Sequence, residues 1–177
     1  MATRINKKRS FLFVSTVLGK HLAVPPQIPL LAGNLLAMRY MEVVHGYKDP
    51  RCEAVAKAIQ TEEHMLELLD DLVRNPIPLP SPTTFIGFAE TATALGHAVF
   101  SSFQTNGTYI NTTRENVEEL SSVISFEEEH SHATSHRVYA SGKELFDNEQ
   151  EIVLVDDEIT TGKTAINIIQ TIQEQFP

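Results

Sequence analysis

The stretch Glu151–Thr164, EIVLVDDEITTGKT, gathers the residues best suited to chemistry in this chain. Asp156 and Asp157 are adjacent carboxylates, suited to accept hydrogen bonds from a pair of sugar hydroxyls. The turn Thr160-Thr161-Gly162-Lys163-Thr164 follows and runs into the helical spacing of Ile166, Ile169 and Ile172. At a helix start the first N–H groups are unpaired and the dipole favours negative charge. Hydroxyls and a glycine let a phosphate approach that backbone. A phosphate cradle just after a diol-binding acid pair implies a ribose 5-phosphate.

The element that must carry the acids is a strand. Ile152, Val153, Leu154 and Val155 form a short apolar run of the kind that is buried in a parallel sheet. Two better-known nucleotide motifs fail here. A Walker A loop needs a glycine five positions before Gly162, and that position is Asp157. Ile152–Asp157 satisfies a Walker B pattern, but the chain has no Walker A to go with it. An ordinary strand–turn–helix with a solvated acidic end is the bland alternative.

The rest of the chain supplies the scaffold. Leu35, Leu36, Tyr40, Val43 and Val44 recur at helical spacing before Gly46, behind a loop marked by Pro25, Pro26 and Pro29. A second helix is expected from Ala54 to Val73, ended by Asn75-Pro76, with Pro78, Pro80 and Pro82 as an extended linker. This divides the chain into a helical N-terminal region, 1–82, and an α/β core, 83–177. In the core, Phe85–Phe88 reads as a strand, Ala89–Thr93 as a turn, and Leu95, Val99 and Phe103 as a helical face. Ser121–Phe126 reads as a second strand and Ile152–Val155 as the third. Alternating strand and helix predicts a parallel-rich sheet.

Between the second and third strands lies Phe126–Tyr139, FEEEHSHATSHRVY. Its histidines suit acid–base work near neutral pH or, protonated, contact with a departing anion. Two other readings stay open. His130 and His132 share one side of an extended strand and suit a metal together with Glu128, or the segment is a solvated hairpin.

Charge and cysteine usage narrow the class. The net charge is −9, yet six of the 14 basic residues and none of the 23 acidic ones precede Glu42. An acidic body argues against bulk nucleic-acid binding, and the basic arm contacts RNA, serves a polyphosphate or is a solvated tail. The lone Cys52 excludes an internal disulfide framework and suits a reducing cytoplasm. No apolar run reaches membrane-spanning length. The stretch Phe11–Leu18 after Arg4, Lys7, Lys8 and Arg9 is short for a signal peptide, and Gly19-Lys20-His21 replaces a cleavage site. A mature N-terminus is expected.

Four apolar residues, two acids and small residues around Gly162 resemble the PRPP-binding motif of type I phosphoribosyltransferases. Gly87-Phe88-Ala89-Glu90-Thr91-Ala92-Thr93 occupies the position of that family's pyrophosphate loop. Phe126–Tyr139 lies where orotate phosphoribosyltransferases carry a flexible catalytic loop that closes over the site. Phe11–Ser15, Leu18–His21, Gly87–Ala92, Glu129–Ala133 and Asp156–Ile159 resemble one subfamily. It comprises the orotate-phosphoribosyltransferase-like proteins of bacterial tellurium-resistance and stress gene clusters.

The resemblance implies a three-layer α/β/α sheet and a pentosyl (glycosyl) transferase that uses PRPP and a base-like acceptor to make a nucleotide-like product. It implies that Asp156, Asp157, Thr160, Thr161, Gly162, Lys163 and Thr164 bind PRPP. Glu90, Thr91, Ala92 and Thr93 would line the pyrophosphate. His130, His132, His136 and Arg137 would carry the loop's catalysis. Magnesium is implied too, held by Asp156 and Asp157 indirectly through PRPP. A PRPP or nucleotide sensor without catalysis is the alternative. Type I folds continue past the PRPP helix, so a sheet lacking its last strands is expected: a fragment, or a chain completed by a homodimer or a C-terminal partner domain.

Overall fold

A computed structural model describes residues 2–4, 12–128, 134–140, 145–146, 149–159 and 161–176. The chain divides into two compact units, Met1–Ile77 and Pro78–Pro177.

The first unit pairs β1 (Ala2–Arg4) with β2 (Leu12–Val14) in antiparallel fashion and continues with three helices. These are α1 (Gln27–His45), α2 (Cys52–Thr61) and α3 (Met65–Arg74). The single helix expected from Ala54 to Val73 is therefore two. Glu62 and His64 both adopt left-handed backbone, at φ 59 and 57, and break it. No glycine or proline marks this break. A straight twenty-residue helix would run about 30 Å, whereas here α2 and α3 each pack on α1 and on one another.

An ion cluster secures the turn into α2. The buried Asp49 carboxylate accepts from Arg51 Nε at 3.0 Å and Nη2 at 2.7 Å. Arg51 Nη1 reaches on to Asp71 at 3.2 Å and to the Asn75 carbonyl at 2.7 Å, tying the start of α2 to the end of α3. The Arg51 guanidinium holds the Asp49 carboxyl below the usual aspartate range.

The second unit is built on three parallel strands: β3 (Thr83–Gly87), β4 (Gly107–Asn111) and β7 (Glu151–Val155), in the order β4-β3-β7. Every residue of the central β3 is buried, as a parallel strand covered on both faces requires. Helix α4 (Ala92–Phe100) follows β3, and α5 (Lys163–Gln175) follows β7. Between β4 and β7 lies an antiparallel hairpin, β5 (Ile124–Glu128) with β6 (Thr134–Val138).

Strand alternation sorts the core into two faces. Phe85 stacks on Phe103 and tilts against Phe100, with Tyr109 stacked on Phe100, under α4. On the other face Ile86, Ile152 and Leu154 pack with Ile124, Phe126, Val138 and Ile168 of the hairpin and α5. This is the expected α/β architecture, a parallel sheet flanked by helices.

Two assignments change. The second parallel strand is β4, not Ser121–Phe126. Its five residues GTYIN hold one short apolar pair, too little to register as a strand before β3 pairs with it. The segment expected as a loop over Phe126–Tyr139 contains strands instead. Ile124, Phe126, His136 and Val138 alternate inward and are all buried, and they pair Ile124 with Val138 and Phe126 with His136. Residues 129–133, with His130 and His132, lie outside the described residues.

Candidate active site

Three loops leave the carboxyl edge of the parallel sheet side by side, because β3, β4 and β7 end in register at Gly87, Asn111 and Val155. Neighbouring strands in a sheet lie about 5 Å apart. The turn at Ala89–Glu90 and the acids at Asp156–Asp157 thus start on adjacent strands. The Phe88 N–H donates to the Val155 carbonyl at 3.0 Å, extending the ladder to the first acid.

After β7, Asp156 and Asp157 are half-buried. The Asp157 N–H donates to Asp156 Oδ1 at 2.9 Å, which orients the first carboxylate in a tight turn. Thr160 lies outside the described residues. The Thr161 hydroxyl accepts from the Lys163 N–H at 3.4 Å. Gly162 precedes α5 in left-handed backbone, at φ 74, and has no side chain of its own with which to cap the helix. A Cβ built at Gly162 meets nothing within 4 Å, so the space over this helix start is open. Lys163 and Thr164 form the first turn of α5, Lys163 exposed and Thr164 half-buried.

After β3, the exposed Glu90 and Thr91 lead into α4, whose start lacks a side-chain cap. Among the described residues the Glu90 and Thr91 amides have no hydrogen-bond partner. The Ala89–Glu90 peptide is cis. Ala92 is fully buried and contributes packing, while the Thr93 carbonyl accepts from the Tyr109 hydroxyl at 2.6 Å. Two helix N-termini therefore flank one sheet edge, with the acid pair beside them. Helix N-termini favour negative charge, so such an arrangement suits anionic groups.

Sequence reasoning missed Thr112, which follows β4 and is fully buried. Its hydroxyl accepts from the Ala89 N–H at 2.8 Å and lies 3.0 Å from His136 Nδ1. The signal was present in Asn111-Thr112-Thr113, but it has meaning only once β4 is recognised as a strand. His136 itself is 1% exposed, stacked on Phe126 at 5.2 Å and edge-on to Phe88 at 6.5 Å. It is a core ring and not a residue of a lid. Arg137 pairs its backbone with Thr113 in both directions at 2.8 Å, and its guanidinium reaches the Arg114 carbonyl at 3.3 Å. Among the described residues no group of three or more His, Cys, Asp or Glu side chains is placed to hold a metal ion.

A largely apolar cavity of about 450 Å³ in the helical unit is lined by Val17, Leu18, Leu35, Leu36, Cys52 and Arg39 among others, and the Arg39 guanidinium is engaged by Glu42 at 2.7 Å. Among the described residues, no helix is long and apolar enough to cross a membrane. A family model described as "Phosphoribosyl transferase" matches residues 1–177. No curated protein and no solved structure matches the chain.

Proposed function

This chain belongs to the phosphoribosyltransferase family, and from that premise we propose that it transfers the 5-phosphoribosyl group of PRPP to a base-like acceptor. A nitrogen of the acceptor bonds to the sugar C1, and the C1–oxygen bond to pyrophosphate breaks. The leaving pyrophosphate keeps the bonding electron pair. One observation carries the reading: the N-terminal starts of α4 and α5 flank the sheet edge that bears Asp156 and Asp157. They suit the pyrophosphate and the 5-phosphate at the two ends of one ribose.

In this reading Asp156 and Asp157 hold the ribose hydroxyls, and Thr160, Thr161, Gly162, Lys163 and Thr164 wrap the 5-phosphate. The Glu90 and Thr91 amides, with Ala92 and Thr93 in the first turn of α4, face the pyrophosphate. Magnesium fits this site, because two carboxylates beside a polyphosphate offer the oxygen donors that it requires. When bound, it neutralises charge on the departing pyrophosphate. His130, His132 and Arg137 remain the candidates for loop chemistry, as acid–base or anion-contacting groups. An orotate-like acceptor and a role in tellurium resistance or stress rest on the sequence resemblance alone, and a cytoplasmic location rests on the lone Cys52.

A second reading, a PRPP or nucleotide sensor, is favoured by one observation. The His136 ring is enclosed in the core, out of reach of a substrate. Pyrophosphate release from PRPP and magnesium, assayed with a panel of purine and pyrimidine bases, decides between them. Release with at least one base supports the transferase. PRPP binding without release from any base supports the sensor, and no PRPP binding at all overturns both.

A further inference from the structure

The Ala89 amide shows how the loop after β3 leaves the sheet. The Thr112 N–H donates to the Gly87 carbonyl at 2.9 Å, a regular rung between β3 and β4. In a parallel ladder the next rung would run from the Ala89 N–H to the Thr112 carbonyl. Here the Ala89 N–H goes to Thr112 Oγ1 at 2.8 Å, while the Thr112 carbonyl accepts from Asn111 Nδ2 at 3.0 Å. A side-chain hydroxyl has replaced a backbone carbonyl. The ladder ends at this residue, and the chain turns away into Glu90 and Thr91.

A hydroxyl rotates, so one contact does not hold it. The second contact, His136 Nδ1 at 3.0 Å, holds the Thr112 oxygen between the ring and the Ala89 N–H. His136 cannot swing away, because it lies between Phe126 and Phe88 and is 1% exposed. Thr112 and His136 are both buried and 24 residues apart in sequence, on β4's end and on the hairpin.

We infer that Thr112 and His136 are positioning residues, which set the pyrophosphate-binding turn through the Ala89 amide and couple it to the β5–β6 hairpin. This inference rests on the proposed PRPP reading. It assigns His136 to the reaction through Thr112 and not as an acid or base. The two hydrogen bonds act on the pyrophosphate side only. The 5-phosphate cradle at Thr161–Thr164 hangs from β7 and does not share them.

The test uses the full chain and two probes, inorganic pyrophosphate with magnesium and ribose 5-phosphate, titrated separately by calorimetry. Thr112→Val keeps the shape and removes the hydroxyl. It should weaken pyrophosphate about ten-fold, the scale of one lost hydrogen bond, and leave ribose 5-phosphate unchanged. His136→Leu should do the same, and His136→Asn, which restores a polar atom near the Nδ1 position, should recover most of the loss. Thr112→Ser is the control that keeps the hydroxyl. Equal weakening of both probes, or no recovery in His136→Asn, would reduce these residues to general packing and overturn the inference. A wild type that binds both probes while Thr112→Val binds them equally well overturns it alone. A wild type that binds neither overturns the PRPP reading beneath it. Should the variants not fold, amide exchange in the wild type decides. Ala89 should be protected without ligand, with Glu90 and Thr91 protected only on adding pyrophosphate. Fast exchange at Ala89 would sink the brace.

Discussion

A Cβ placed on Gly96 would lie 3.0 Å from the Cα of Gly87, backbone against backbone, so α4 rides directly on the end of β3. The same Cβ would meet Tyr109 Cε2 at 3.0 Å. This contact holds the middle of α4 close against the end of β3. Gly96→Ala should therefore cost about 1–3 kcal/mol, the usual scale of overpacking a tight core. Urea denaturation measures it, and an unchanged midpoint would show that helix and strand separate easily.

Tyr109 should resist ionisation. Burial raises its phenol to about 12, since the charged form loses water without gaining a partner. A folded value above the unfolded one means the contribution is whole below about pH 10. It erodes as pH climbs from there towards about 12. Absorbance titration of tyrosinate should show one late tyrosine, and Tyr109→Phe should abolish that step and release the Thr93 carbonyl.

Gly162 precedes α5 in left-handed backbone, and among the described residues a Cβ built there meets nothing within 4 Å. Gly162→Val should abolish PRPP binding, because a β-branched residue opposes that φ and fills the space a phosphate needs. Calorimetry beside a thermal melt checks it: the fold persists and the heat of binding vanishes. Normal PRPP binding by a folded variant would remove Gly162 from the site.

Asp156→Asn and Asp157→Asn should each weaken PRPP about ten-fold or more, the scale of a lost charge-assisted hydrogen bond. Asn at 156 keeps an oxygen for the Asp157 N–H, so the turn survives and the melting temperature should move little. If binding holds while stability falls, the carboxylates serve the fold and not the ligand.

Acid should loosen the helical unit first through Asp49. Hydrogen bonding to Arg51 lowers its carboxyl below the ordinary value of 3.8, and Asp71 is lowered through Asn75 and Arg51. A depressed folded value means the contribution is present above about pH 4 and lost as pH falls through the folded value. Asp49→Asn should cost about 1–3 kcal/mol at neutral pH and flatten the acid limb. Urea midpoints measured between pH 3 and 7 give both numbers.

The sequence by itself determined the strand β7, the acid pair that follows it and the class of fold around them. Ile152–Val155, the two aspartates and Gly162 are local signals: an apolar run, a charge pair and a turn each have meaning within a few residues. The same holds for β3 and α4, whose apolar spacing is explicit. Tertiary structure decided the rest. Strand β4 exists because β3 supplies its hydrogen bonds, and its own two apolar residues do not announce it. The break at Glu62–His64 leaves two short helices that each pack on α1 and on one another. His136 looks in sequence like its loop neighbours and becomes a core ring only when Phe126 lies opposite it. Its bond to Thr112, and that of Thr112 to Ala89, join residues more than twenty positions apart. Contacts of that range arise when elements pack, so no local pattern encodes them.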